Sequence, residues 1–336
     1  MSRSQAALLA LLAAALGTLP FWIARVGLYQ YLGIEILVWG LYALSFNLLL
    51  GYTGLPSFGH AAFFGIGAYA TALLKIHLGV SFWLGLPLGG LITAAIGVVV
   101  GLPALRLSGL YLAMATLAFA QLFQWLLIHW PSFTFGAGGI KVSHPGFGPS
   151  PFGYETNVYF LCLGVAVLAV FATWNIVRSR VGRAFVAIRD SEVAAQALGI
   201  DPARYKTVAF ALSAFYAGIA GGLHSVLLSY VAPEGYSLFQ MVIHFAMVVV
   251  GGLGSVTGSV LGAALMTALT EVLRTFKSAQ EIAFGAILML CIIFLPDGLY
   301  GVIRRRLAGW RETLHRAPAG PASAPAPAVV TPDAHP

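Results

Sequence analysis

This 336-residue chain is short of charge: 9% of its residues are Asp, Glu, Lys or Arg, against about 25% in an ordinary soluble domain. Cysteine is scarcer still, at two residues. Cys162 and Cys291 each sit inside an apolar run with no Cys or His at metal-ligand spacing, which leaves both as packing residues. Zinc-type His/Cys clusters, a Gly-x-Ser-x-Gly elbow and a carboxylate pair within an apolar span are all missing, so hydrolytic chemistry has no home and no metal or cofactor is expected. Nor does a Gly-x-x-x-x-Gly-Lys-Ser/Thr loop occur; "GAGGIKV" (136–142) is glycine-rich with a lysine but has the wrong spacing. Period-two alternation is absent too, which excludes a membrane β-barrel.

What is present is apolar length. The chain is 59% hydrophobic with a mean hydropathy of +0.88, and runs such as 34–50, 82–105, 159–177 and 282–295 carry one charge or none. A helix needs about 20 such residues to cross the hydrocarbon. Breaks and charges place spans near 6–24, 28–50, 56–74, 82–104, 108–130, 155–177, 207–230, 239–252, 255–273 and 280–303. The expected fold is therefore all-α: a polytopic integral membrane protein of about 8–10 transmembrane helices, some broken or short. Residues 239–252 are brief for a crossing, and "VVVGGLGSVTGSVLGAALMTAL" (248–269) reads as a half-helix, a glycine-rich break and a second helix.

The net charge of +7 signals topology rather than nucleic acid. Six of the 18 Lys and Arg lie in 178–206 and five in 304–316. With ten crossings and a cytoplasmic N-terminus, 13 basic residues fall on the cytoplasmic side and 5 outside, as the positive-inside bias requires. Both termini are thus expected in the cytoplasm, with the first apolar run kept as a span rather than cleaved as a signal peptide. Residues 1–303 form the membrane domain, 178–206 its cytoplasmic insertion, and 304–336 a basic, then Pro/Ala-rich tail expected to be disordered.

One stretch breaks the apolar pattern: "GYTGLPSFGHAAFFGIGAY" (51–69). Gly51, Gly54 and Pro56 interrupt the hydrogen-bond ladder, and Ser57 is placed to cap the helix that follows. Beyond it Ala61, Gly65, Ala68 and Ala72 form a small-residue stripe, and Gly65 and Gly67 thin one face for packing or sliding. Asn47 and His60 flank this break; His224 and His244 bracket the second. These four are the candidate path residues among the polar groups of the spans, which also include Gln121, Gln124, His129, Ser225, Gln240, Thr257 and Thr267. A hydrogen bond to a neighbouring helix accounts for each of them equally well.

The most informative polar stretch is 178–223. Asp190 or Ser191 supplies an N-cap, residues 192–198 have helix-forming composition, Gly199 sits where a C-cap glycine belongs, and Asp201-Pro202 starts the next span. Val193, Ala194, Ala197 and Leu198 share one face. Such a helix suits docking into a groove on another protein and, equally, lying on lipid headgroups.

The segment "EVAAQALGI", with "GRAFVAIRD" before it, resembles the coupling loop of ABC importer permeases, through Glu192, Ala194, Ala195 and Gly199. Val193 interrupts the usual Glu-Ala-Ala order. Together with "LSFNLLLGYTGLPSFGHAAFFGIGAYATALL" (44–74), it makes residues 30–303 similar to the branched-chain amino-acid ABC transporter permeases of the LivM type. The resemblance implies a multi-pass subunit of the bacterial inner membrane that catalyses nothing itself. It also implies a LivH-type permease partner, two cytoplasmic ATP-binding subunits and a periplasmic or lipid-anchored substrate-binding protein. Coupling to the ATPases would fall to Arg189, Asp190, Ser191, Glu192, Ala194, Ala195 and Gly199. Leu, Ile and Val are the family default, although similar permeases serve other amino acids, amides and urea. The competing class is a self-sufficient ion-coupled secondary transporter, since broken helices mark those folds as well; against it, Glu35, Glu155, Glu234, Glu271 and Glu281 all fall near expected span ends.

Overall fold

An apolar chain in a bilayer has only its own backbone to hydrogen-bond with, and the computed structural model of this protein is accordingly built of helices. It describes residues 27–104, 107, 109–142, 144–148, 152–236, 238–273, 280–295 and 298–306; the expected span at 6–24 and most of the tail lie outside these. In chain order the main helices are α1 (Gly27–Asn47), closed by a π-helical turn at Leu48–Tyr52, then α2 (His60–Leu78), α3 (Phe82–Ala104) and α4 (Gly109–His129). After the single turn α5 (Pro131–Thr134) come α6 (Tyr154–Arg178), α7 (Arg180–Asp190), α8 (Glu192–Ala197) and α9 (Pro202–Leu228). The chain continues with α10 (Leu238–Gly251), α11 (Val256–Leu273), α12 (Gln280–Phe294) and α13 (Gly298–Arg306).

Seven of these helices are long and apolar enough to cross a membrane, and α10 is a shorter apolar helix. The protein is thus a multi-pass all-α membrane protein. The expected crossing at 280–303 is two helices: Pro296 cannot donate to a helical ladder, and Gly298 turns the chain at φ +66°. The expected half-helix, break and helix at 248–269 is an antiparallel hairpin, with α10 ending at Gly251 and α11 starting at Val256.

Helix α9 forms the middle of the bundle, against α1, α2 and α3. Its buried face is made of small residues, among them Ala209, Ala214, Ala217, Gly218 and Ala220. Without a hydrophobic drive between helices in lipid, such close approach is what holds a bundle together. The tightest contact falls at Gly67, where an added Cβ would lie 2.1 Å from Gly218 O and 2.2 Å from Gly218 Cα. At Gly65 the neighbours are side chains, Phe123 at 2.8 Å and Tyr236 at 3.1 Å. Because carbon atoms rest at about 3.5–4.0 Å, Gly67→Ala must push neighbouring backbones away from each other, whereas Gly65→Ala need only shift a ring. Gly67→Ala is therefore expected to lower the thermal midpoint of the solubilised protein well beyond Gly65→Ala; equal midpoints would remove the backbone contact from the account.

The two ends of the bundle differ. At one, Lys75 Nζ donates to His144 O (3.3 Å), Trp83 Nε1 donates to Gly146 O (3.4 Å), and the two-residue strands β1 (Ile140–Lys141) and β2 (Tyr230–Val231) pair antiparallel. The other end carries α7, α8 and both helix breaks.

Candidate functional site

A helix that stops inside a membrane protein leaves its last carbonyls without partners, and at the first break four of them can be traced. Thr53 Oγ1 donates to Leu48 O (3.0 Å), Leu55 N to Leu49 O (3.1 Å), Gly54 N to Leu50 O (3.1 Å), and Arg189 Nη1, from far along the chain, to Gly51 O (2.9 Å). Gly54 permits the reversal with φ +73°, and Pro56 is half-buried in the extended stretch beyond it. Ser57 does not cap α2. Its hydroxyl accepts from Gly59 N (3.2 Å), Thr116 Oγ1 takes Phe58 N (2.9 Å), and the helix starts later, at His60, with Gly59 as its N-cap.

Asn47 ties this break to the second. Fully buried, it donates through Nδ2 to Ser255 O (2.7 Å) and Ser259 Oγ (2.6 Å), while Oδ1 accepts from Gly254 N (2.8 Å). Ser255 in turn caps α11, its hydroxyl accepting from Gly258 N (2.9 Å). Gly51 is what lets the pieces meet: a Cβ there would lie 1.8 Å from Asn47 Oδ1 and 2.4 Å from Gly254 N.

The cytoplasmic insertion begins with α7, a helix that the sequence expectations do not separate; its buried Gly182, Phe185 and Ile188 are the periodic signal that could have revealed it. Of the two N-cap candidates for α8 the cap is Ser191, whose hydroxyl accepts from Ala194 N (3.2 Å); Asp190 instead accepts from Arg189 Nε (3.2 Å). At the far end Gly199 adopts φ +79°, with Ile200 N bonded to Ala195 O (3.0 Å) and Gly199 N to Gln196 O (2.9 Å), the Schellman pattern. Asp201 then caps α9 through Ala203 N and Arg204 N. Ala195 is buried beneath α8, Ala194 is exposed, and Glu192 grips Lys206 Nζ with both oxygens (2.8 and 2.7 Å). Outward, Val193 is 79% exposed and Leu198 80%.

The histidines gather separately, deeper in the bundle. His244 packs against Trp39 (ring centroids 4.3 Å apart) and Tyr42 (4.6 Å), and His224 against Trp39 (5.1 Å) and Phe64 (5.3 Å), so α1, α2, α9 and α10 close around one aromatic ring of side chains. Tyr42 Oη and His244 Nδ1 are buried there with no hydrogen-bond partner among the described residues. His60, nearby on α2 and edge-on to Phe46 (4.4 Å), contacts Ser213 Oγ through Nε2 (2.6 Å). Ser213 gives its one proton to Ser45 O (2.8 Å), so Nε2 of His60 must be the donor and Nδ1 is left bare.

Other polar residues stand elsewhere. Gln121 and His129 are exposed on α4 rather than inside the bundle, His129 bonding back to Trp125 O (3.0 Å). Glu35 is not at a helix end: it lies about two turns inside α1 and accepts from Trp39 Nε1 (3.3 Å). Sequence reasoning missed the roles of Ser213, Gly254, Ser255 and Ser259, whose partners lie 153 to 212 residues away, and of Lys206, paired with Glu192 14 residues back.

Seven apolar helices closing around buried aromatic and histidine side chains define a multi-pass membrane protein. The family described as branched-chain amino acid transport system / permease component matches residues 28–296, and the chain belongs to that family. The high-affinity branched-chain amino acid transport system permease protein LivM of Salmonella typhimurium is 34% identical over 288 residues, covering 79% of this chain and 68% of the relative. LivM of Escherichia coli K12 is 33% identical with the same coverage. The high-affinity branched-chain amino acid transport system permease protein LivH of Escherichia coli K12 is 24% identical over 78% of this chain and 91% of its own. The chain is thus the transmembrane permease subunit of an ABC importer.

Proposed function

We propose that this subunit forms one half of the path for branched-chain amino acids across the bacterial inner membrane. It works beside a LivH-type permease, is supplied by a periplasmic or lipid-anchored substrate-binding protein, and is driven by two cytoplasmic ATP-binding subunits docked on α8. The observation that carries this reading is the outward face of α8, where Val193 and Leu198 are almost fully exposed on a helix capped at both ends and pinned by Glu192 to Lys206. A helix resting on lipid headgroups would be held by basic residues on its own turns, and Glu192–Ala197 has none. A groove on a partner covers two such residues instead.

In this reading both termini and 178–206 face the cytoplasm. His60, His224 and His244 line the closed path together with Trp39, Tyr42 and Phe64. Asn47 shapes the break, and Gly51, Gly54 and Pro56 make it a hinge. A weakly polar lumen passes an aliphatic zwitterion without trapping it, and the relatives' names supply the choice of Leu, Ile and Val. The chain purified with its partners in mild detergent is expected to carry vanadate-sensitive ATPase activity and, once reconstituted, to take up labelled leucine, isoleucine and valine. Val193→Glu and Leu198→Glu are expected to release the ATPase while leaving membrane insertion intact; an ATPase still bound to both variants overturns the docking assignment.

A further inference from the structure

Arg189 is the next-to-last residue of α7, with only Asp190 and Ser191 between it and the first residue of α8. A basic residue that merely fixes topology keeps its charge in water or among headgroups. This one turns inward until its side chain is 11% exposed. Withdrawing a guanidinium from water is costly unless it is paired and hydrogen-bonded, and two acceptors meet it: Asp190 Oδ1 at Nε (3.2 Å) and Gly51 O at Nη1 (2.9 Å).

The surroundings of the side chain are as informative as its bonds. A Cβ on Gly54 would lie 2.8 Å from Arg189 Cγ, and one on Gly254 would lie 3.2 Å from Arg189 Nη1. The arginine therefore fills the wedge between the two helix breaks, stem against the first and head against the second. Those breaks are already tied to each other through Asn47, which holds Gly254 N and Ser255 O. Backbone at such a junction is close-packed, and close-packed contacts shift between discrete arrangements rather than yield smoothly. Any displacement of α8 that moves the end of α7 must drag the guanidinium, and with it the Gly51 carbonyl and the turn at Gly254.

We propose that Arg189 is the positioning residue that carries movement of the coupling helix into both helix breaks at once, acting on Gly51 and Gly254 rather than on an ATPase. The assignment rests on the reading of α8 as the ATPase-docking element, and its test keeps the two apart.

Uptake and ATP hydrolysis are measured on the same proteoliposomes, made from the complex purified with its partners, for Arg189→Gln, Arg189→Lys and the docking control Val193→Glu. Arg189→Gln is expected to keep the ATPase bound and hydrolysing within about twofold of the unsubstituted complex, while uptake per ATP falls about tenfold. Arg189→Lys, which keeps the cation but loses the fork, is expected to recover some of that ratio. An unchanged ratio in Arg189→Gln makes Arg189 a topology charge and overturns the proposal; release of the ATPase by Arg189→Gln, as by Val193→Glu, makes it a docking contact and overturns it equally. If Val193→Glu itself stays docked and coupled, the reading of α8 fails whatever Arg189→Gln does. Should Arg189→Gln not reach the membrane, Arg189→Met, which keeps the stem against Gly54 but loses the bond to Gly51 O, takes its place. A drop in uptake per ATP of about threefold with the ATPase retained supports the relay, and an unchanged ratio contradicts it.

Discussion

Asn47→Leu is expected to abolish uptake and to lower the thermal midpoint of the solubilised protein more than any other single polar substitution in the bundle. The side chain is fully buried and engages both its amide nitrogen and its oxygen in three short bonds, to Gly254 N, Ser255 O and Ser259 Oγ. Leucine fills the volume but strands Gly254 N, whose alternative is no partner at all, while Ser255 O keeps Ser259 N (3.1 Å) and Ser259 Oγ (3.0 Å). The orphaned amide costs about 1–3 kcal/mol, and each of the two lost bonds to Ser255 O and Ser259 Oγ removes a contribution of about 0.6–2 kcal/mol, so the loss is on the order of 3 kcal/mol. Asn47→Asp keeps the acceptor for Gly254 N but sets a carboxylate against the Ser255 carbonyl, and it should fare no better. A thermal scan alongside uptake checks both; an Asn47→Leu variant with unaltered melting and transport would show that the two breaks are held together by something else.

The second large effect is asymmetric. Glu192 holds Lys206 with both oxygens, but the two ends of the pair sit differently: the Lys206 side chain is 6% exposed and that of Glu192 42%. Glu192→Gln leaves the buried ammonium facing a single carbonyl oxygen. Breaking a fully buried pair in this way costs about 3–5 kcal/mol, and the exposure of Glu192 brings the figure nearer about 2 kcal/mol. Lys206→Met strands only a carboxylate that water can reach, at about 0–1 kcal/mol. Glu192→Gln is therefore expected to unseat α8 and reduce ATP-coupled uptake severely, Lys206→Met mildly, and the Glu192→Gln/Lys206→Met double variant to recover much of the loss. Uptake and bound ATPase measured across this double-mutant cycle decide it. Equal losses in the two single variants would mean that Glu192 serves the partner directly instead of holding α8 to α9.

What could be read from the sequence, and what could not, divides along one physical line. Features encoded within a few residues were legible: the apolar lengths of the spans, the breaks at 51–56 and 252–255, and the α8 helix with a cap at Asp190 or Ser191, its Gly199 terminus and the Val193/Leu198 face. Features that depend on what packs against what were not. Ser57 suits an N-cap by sequence, yet Thr116 on α4 shares the work of holding the preceding amides and the helix starts later. Gly65 and Gly67 are indistinguishable in a string; only the approach of Gly218 makes the second far less tolerant. Gln121 and His129 count as polar residues in a span, but helix orientation puts them on the outside. Asn47 is the plainest instance: its position beside a break suggested the path, and the structure turns its whole amide to the second break, 207 to 212 residues away.

The central proposal is that this chain is one of two membrane-spanning subunits of an ATP-driven importer, and that α8 couples the ATPase to its two broken helices. Its most direct test is leucine uptake into proteoliposomes containing the chain with its co-purified partners, compared with liposomes containing the chain alone, with ATP and with imposed sodium or proton gradients. The account predicts vanadate-sensitive uptake that requires ATP and the partners and is indifferent to ionophores. Concentrative uptake by the chain alone, driven by an ion gradient and abolished by its collapse, would contradict it.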